Sequence, residues 1–361
     1  MNDNITPYVR YIGADDKDLD LFESQYVVPQ GISYNSYVIT DEKIAVMDTI
    51  DQRKTEEWAV RLEEALEGRT PDYLIVQHME PDHAANIGWF AEKYPEATIV
   101  ASAKAIQMMP QFFEEVNFAG RTQTVKEGDT LCLGQHTLKF IMAPMVHWPE
   151  VMLTYEESEK ILFSADAFGK FGALCHEGEW IDEARRYYFN IVGKYGAQVQ
   201  ALLKKAAGLD IAMICPLHGP VLKENLGYYI GLYDTWSKYE PETEGVVVAY
   251  ASIHGNTAAA ARRMAEILSE KGAAEVMLID LCRDDMALAV ESAFRYSKMI
   301  VAASSYDAGV FPPMFDFLHH LQIKNFQKRR VGIIENGSWA PTAGRMMSCM
   351  LSEMKNMEIM E

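Results

Sequence analysis

Apolar and polar positions alternate through residues 33–49 and reverse at Asp41-Glu42, a period of two that predicts a hairpin. The period becomes helical at 55–66 and again at 86–93. Between these helices lies the unbroken apolar run Tyr73-Leu74-Ile75-Val76, the pattern of a strand covered on both faces. Short strands with glycine and charged turns fill 122–163, and one long helical pattern spans 182–207. Strands and helices in this order fit an αββα sandwich. Beyond Gly245 the alternation is regular, with apolar runs at 246–250, 276–279, 298–303 and 330–334 separated by helical stretches. That is the pattern of a doubly wound parallel sheet.

A chain of 361 residues has room for about two cores. The polar stretch Glu240-Pro241-Glu242-Thr243-Glu244 divides it, giving expected domains at 1–242 and 245–361. The second sheet shows four strands, and the chain reaches Met357-Glu358-Ile359-Met360-Glu361 where a fifth strand and its helix are expected to begin. That domain is therefore expected to lack its last strand and helix.

Candidate chemistry concentrates where strands stop. Directly after 73–76 comes His78-Met79-Glu80-Pro81-Asp82-His83, four potential metal ligands within six residues. Imidazole nitrogens mixed with carboxylate oxygens suit iron, manganese or zinc. Three more candidates follow apolar stretches and precede turns: His147 before Trp148-Pro149, Asp166 after Phe163-Ser164-Ala165, and His218 in Pro216-Leu217-His218-Gly219. Each alone has an ordinary structural role open to it, as a backbone-bonded histidine or a capping aspartate.

In this order the seven residues resemble the metallo-β-lactamase superfamily, whose pattern is His-x-His-x-Asp-His, then His, Asp and His. Glu80 stands where the hydrolases carry their second histidine, and that substitution resembles the flavodiiron proteins, as does Tyr34-Asn35-Ser36-Tyr37. The resemblance implies a di-iron centre with His78, Glu80 and His147 on one iron, Asp82, His83 and His218 on the other, and Asp166 bridging. Harder, anionic ligation favours iron in its oxidised forms. Tyr195 is a candidate proton donor near such a site, with core packing as its other role.

The second half carries three loops at strand ends. The first is Ser252-Ile253-His254-Gly255-Asn256-Thr257, leading into an alanine-rich helical pattern with no Lys or Arg between 246 and 260. A strand that turns into a helix through such a loop aims backbone N–H groups at an anion. The others are Ser304-Ser305-Tyr306-Asp307-Ala308-Gly309 and Glu335-Asn336-Gly337-Ser338-Trp339. The three loops resemble those of flavodoxins, which implies FMN, with Tyr306 and Trp339 candidates to touch its ring.

Composition narrows the partners. A net charge of −19 repels nucleic acid and anionic membrane. Five scattered cysteines without a Cys-x-x-Cys pair suit a reducing cytoplasm, and neither a signal peptide nor an apolar run of membrane-spanning length is evident. The resemblance implies reduction of oxygen to water or nitric oxide to nitrous oxide. It also implies electrons from rubredoxin or another small donor protein, and a head-to-tail homodimer or dimer of dimers. Two other functions fit parts of the chain: a zinc-dependent hydrolase fused to a flavodoxin module, and a non-catalytic redox sensor or electron carrier.

Overall fold

A computed structural model describes residues 4–176 and 178–360. By contacts the chain separates into two compact units, residues 1–184 with 198–230, and residues 185–197 with 231–361.

The first unit is built on two facing sheets. Six strands, in the order Val9–Tyr11, Tyr37–Thr40, Ile44–Met47, Tyr73–Val76, Thr98–Ser102 and Thr122–Val125, form one. Thr130–Cys132, Thr137–Met142, Met152–Glu156, Ile161–Phe163 and Met213–Cys215 form the other. Alternation decides what faces inward: Tyr37 and Ile39, Ala45 and Met47, Ile75 and Val100 from the first sheet join Leu138, Phe140, Met152, Ile161 and Phe163 from the second in one core. Ile44 and Val46, on the opposite face, are also fully buried. The helix Thr55–Leu66 packs against Tyr37–Thr40 and buries Trp58 and Leu62, while the indole of Trp58 donates to Ser36 Oγ. This gives the helix-covered sandwich that the periodicities predict.

In the second unit the strands run Val276–Asp280, Thr243–Ala251, Tyr296–Tyr306, Arg330–Asn336 and Glu358–Ile359, every neighbouring pair parallel. The order is the 2-1-3-4-5 of a doubly wound sheet. Four strands are legible in the sequence, whereas the structure has a fifth of two residues, paired Arg330 with Glu358 and Val331 with Ile359. Two residues are too few to show a period.

The pattern at 182–207 is not one helix. It runs as Trp180–Tyr187, a π-helical turn Tyr188–Val192, a short 3-10 turn Gly193–Tyr195, and Gly196–Ala206. The π turn places Phe189 flat against Phe294, ring centroids 4.4 Å apart. Contacts thus group 185–197 with the second unit, although the polar stretch that marks a boundary lies at 240–244. Arg185 is buried there, donating from Nε to Glu242 at 2.7 Å and from Nη1 to the buried Glu291 at 2.9 Å.

Removing one partner of a buried ion network strands the others without compensation, at a cost of about 3–5 kcal/mol. Arg185→Ala is therefore expected to destabilise the second unit by that amount, measured by urea denaturation. A loss below about 1 kcal/mol, the size of an exposed pair, would contradict this role.

Candidate functional site

The strand Tyr73–Val76 ends against Asp48, whose carboxylate accepts from Gln77 N at 2.7 Å and Gln77 Nε2 at 2.8 Å. This fixes the chain as it leaves the sheet. Glu80 then sits extended at the N-cap of the one-turn helix Pro81–Ala84, with Pro81 at its first position. Asp82 and His83 lie on that turn, whose end is held by Thr49 Oγ1 donating to His83 O at 2.7 Å. His147, Asp166 and His218 arrive from loops that follow Thr137–Met142, Ile161–Phe163 and Met213–Cys215. After His218 the backbone turns left-handed at Gly219, where a Cβ would lie 2.7 Å from Lys170 Cγ, so only glycine fits.

All seven side chains converge, in two groups whose ligand atoms lie within 4.8 Å of one another: His78, Glu80, His147 and Asp166, and Asp82, His83 and His218. Asp166 Oδ2 lies 3.1 Å from Nε2 of both His78 and His147. Its other oxygen, Oδ1, is 3.1 Å from His83 Nε2 and 3.8 Å from His218 Nε2. Glu80 Oε2 is 3.0 Å from His147 Nε2 and 3.3 Å from His78 Nε2. Asp82 Oδ2 is 3.2 Å from His218 Nε2 and 3.3 Å from His83 Nε2.

Whether these residues fit metal ions is decided by their unsatisfied atoms. Both oxygens of Asp82 and of Asp166 are buried and accept no hydrogen bond; their close approach to the imidazoles lacks hydrogen-bond geometry. His218 Nδ1 faces the carbonyl of Ser33 at 2.7 Å and must donate to it, which leaves a lone pair on the neutral ring's Nε2. That lone pair faces His83 Nε2 at 3.1 Å. Buried carboxylate oxygens without a hydrogen bond, as on Asp82 and Asp166, are costly unless a cation lies among them. The donor set fits a pair of metal ions.

Protonation follows the same logic. Burial opposes the charge of Asp166, but the His78 and His83 imidazoles, with His147, hold it well below the usual carboxylate range. Burial also pushes His78 and His147 down, yet the carboxylates of Asp166 and Glu80 outweigh it, holding His78 well above its ordinary value and His147 at about 9. Burial raises Asp82 to about 7, helped by the charges of Glu80 and Asp166. Protons thus do part of the charge compensation that cations would do.

Several neighbours carry no signal in the sequence. Phe22 stands edge-on to His218 at 5.5 Å, and Trp148 edge-on to His78 at 5.3 Å. Glu150 accepts from His78 Nδ1 at 2.8 Å; its only hint is a carboxylate three residues after His147. Glu23, on the hairpin Leu21–Phe22 and Tyr26–Val27, is exposed as a residue, yet its carboxyl packs close enough to the site to be raised to about 7 by desolvation and by the charge of Glu80. Tyr195 lies in the other compact unit, half-buried, with Lys194 Nζ 5.8 Å from its ring centroid.

The three loops of the second unit all sit at the C-terminal ends of adjacent strands, Thr243–Ala251, Tyr296–Tyr306 and Arg330–Asn336. Gly255 takes φ +90° as N-cap of the helix Asn256–Glu270, and its N–H donates to Ser252 Oγ at 3.1 Å. His254 is exposed, while Thr257 is buried and accepts from Asn336 Nδ2 at 3.3 Å, tying the third loop to the first. Asp307 turns the second loop with φ +46°, bringing Gly309 opposite Tyr306. Ser304 Oγ is buried without a hydrogen bond. The Ser305 hydroxyl also accepts from Thr342 N at 2.7 Å and Ala343 N at 3.1 Å, capping the helix Ala343–Ser352. Gly337 and Ser338 lead to Trp339, 83% exposed, and Tyr306 is exposed as well. Free helix-terminal N–H groups, an orphaned hydroxyl and bare aromatic rings fit a phosphate with a flat ring system.

A metallo-β-lactamase-like sandwich with two clustered ligand sets, and a flavodoxin-like sheet, together define the flavodiiron class. A family model described as the ODP family beta lactamase matches residues 32–219, and the chain belongs to that family. It is 29% identical over 353 residues to the anaerobic nitric oxide reductase flavorubredoxin of Aliivibrio fischeri, covering 94% of this chain and 70% of that one. It superposes on rubredoxin oxygen:oxidoreductase from Desulfovibrio gigas with TM-score 0.92 and 25% identity, over 98% of this chain and 90% of that one. The flavodiiron protein from Giardia intestinalis shares its fold, with TM-score 0.91 and 24% identity over 99% and 91% of the two chains.

Asp166→Ala removes an oxygen from both ligand sets, so both metals are expected to be lost together, read as metal content per chain. Loss of one alone would contradict the bridging geometry. Thr257→Val removes a buried hydroxyl at the anion cradle. Loss of a charge-assisted hydrogen bond of about 1.5–3 kcal/mol weakens FMN roughly ten- to a hundredfold. Fluorescence titration with FMN checks this, and unchanged affinity would show that the phosphate binds elsewhere.

Proposed function

We propose that the chain reduces oxygen to water, nitric oxide to nitrous oxide, or both, at two irons fed by FMN. His78, Glu80 and His147 hold one iron, Asp82, His83 and His218 the other, and Asp166 bridges them. The observation that supports this most is the division of Asp166's two oxygens between the two histidine sets. Glu80 supports iron over zinc, because an anionic oxygen replaces a neutral nitrogen. The names of the relatives agree, one being a nitric oxide reductase and another an oxygen oxidoreductase.

When bound, two ferrous ions and one reduced flavin supply four electrons, enough to take one oxygen molecule to two waters, or two for a pair of nitric oxide molecules. The residues set the conditions. Three carboxylates, Glu80, Asp82 and Asp166, offset most of the charge of two divalent ions, leaving a small net attraction for an anionic or polar diatomic. His218 is locked with Nδ1–H on the Ser33 carbonyl, so its Nε2 stays available as a donor. Phe22 and Trp148 wall the histidines with rings and limit water there. Glu23, raised to about 7, exchanges a proton beside Glu80 near neutral pH, where reduction consumes protons.

Electrons come in this reading from rubredoxin or a similar small donor, to a cytoplasmic head-to-tail homodimer or dimer of dimers in which the flavin of one subunit serves the irons of its partner. Protein purified without oxygen is expected to carry about two irons and one FMN per chain and to consume nitric oxide or oxygen under reduced rubredoxin. Zinc in place of iron, or full cofactor loading without turnover of either gas, would overturn the assignment. In the same assay, mixed dimers of Asp166→Ala and Thr257→Val chains are expected to recover turnover. Failure to recover it after exchange confirmed by mass would place transfer within one chain.

A further inference from the structure

We propose that Glu150 is a positioning residue that makes the two metal pockets unequal, so that the iron held by His78, Glu80 and His147 is the first to become ferric. The inference rests on the di-iron reading above. The four imidazoles share one feature: each turns Nε2 toward the ligand clusters. For three of them the outer nitrogen meets a different environment. His78 Nδ1 faces a buried carboxylate, Glu150 Oε1, at 2.8 Å. His218 Nδ1 faces a neutral carbonyl, Ser33 O, at 2.7 Å, and His83 Nδ1 is buried with no hydrogen bond. A full charge behind an imidazole draws its N–H outward and makes the opposite nitrogen a stronger donor; a carbonyl does so weakly.

Glu150 is held for this task. It is 2% exposed, and the same oxygen that takes His78 also accepts Met79 N–H at 2.9 Å. Its backbone carbonyl is fixed by Ser102 Oγ at 2.7 Å, and its second oxygen, Oε2, is buried and accepts nothing. Its charge is thus directed at the ring of His78. Glu80 adds an anionic oxygen on the same side, whereas on the Asp82 side the outer nitrogen of His218 meets the neutral Ser33 carbonyl and that of His83 is buried without a hydrogen bond. The couple concerned is iron(III) plus one electron giving iron(II); the electron comes from the reduced flavin, and the proton stays within the His78–Glu150 hydrogen bond.

The test compares native holoprotein with Glu150→Gln, which keeps size and a neutral acceptor, and Glu150→Asp, which keeps the charge but withdraws it by one methylene. Iron content is measured first, then the two iron couples are titrated with chemical mediators and followed by electron paramagnetic resonance and Mössbauer spectroscopy. Glu150→Gln is expected to keep both irons and to disfavour the ferric form of one iron about tenfold, a positive shift of about 59 mV in a one-electron couple, with the other couple unmoved. Glu150→Asp shifts the same couple in the same direction by a smaller step, and carries the test where the amide variant does not fold. Both couples moving together, neither moving, or iron lost from one pocket with the remaining potential unchanged would overturn the role. Native protein without two irons overturns the di-iron reading as well, and is seen before any variant is titrated.

Discussion

The Asp166 carboxylate is the constraint on which the first unit depends. It is fully buried, it accepts no hydrogen bond, and it lies within 3.1 Å of three imidazole nitrogens, two from the segment 78–83 and one from the loop of His147. A buried charge of this kind is tolerated only when paired or bound to metal. The surrounding architecture answers that demand. Strand ends deliver the ligands, Asp48 and Thr49 fix the turn that carries four of them, and Gly219 lets the chain leave His218 without striking Lys170. The two sheets beneath supply rigidity, since their shared core is packed almost without exposure.

Much of this was legible in the sequence, for a physical reason. His78, Glu80, Asp82 and His83 are neighbours along the chain, so one strand end brings them together. His147, Asp166 and His218 lie far apart, but each marks the place where an apolar run stops, and strands of one fold end on common edges. What surrounds these ligands is not legible. Glu150 reaches His78 across 72 positions and Ser33 reaches His218 across 185, and neither pairing leaves a local pattern. Phe22 and Glu23 come from a two-residue-stranded hairpin too short to show a period.

The edge of the second unit along the chain escapes the sequence in a different way. The helical period at 182–207 continues through the π turn, because one extra residue in a turn rotates the face without interrupting the apolar spacing. Phe189, in that turn, stacks on Phe294, and Arg185, in the helix before it, pairs with Glu242 and Glu291, so those residues belong by contact to the second unit. A polar, proline-bearing stretch at 240–244 marks a boundary to the eye, yet Glu242 within it is the partner of a buried arginine and of the Trp236 indole. Polarity alone does not separate a linker from a clamp. Ser305 makes the same point on a smaller scale: a hydroxyl in a ligand-like loop also caps the helix Ala343–Ser352.

The two units solve opposite electrostatic problems. The metal site concentrates buried negative charge and needs cations. The flavin loops must hold an anion on a chain of net charge −19, with no Lys or Arg between residues 246 and 260. Long-range attraction is unavailable there, and a phosphate approaching from solvent meets a repulsive field. What remains is short-range: N–H groups at the start of the helix Asn256–Glu270, freed by the left-handed turn at Gly255, and the hydroxyls of Ser252 and Thr257. Such donors act only at contact distance and only when pre-aimed. The tie from Asn336 to Thr257 and the cap at Ser305 therefore matter beyond their own energies, because they hold three strand ends in the register that makes a neutral cradle sufficient.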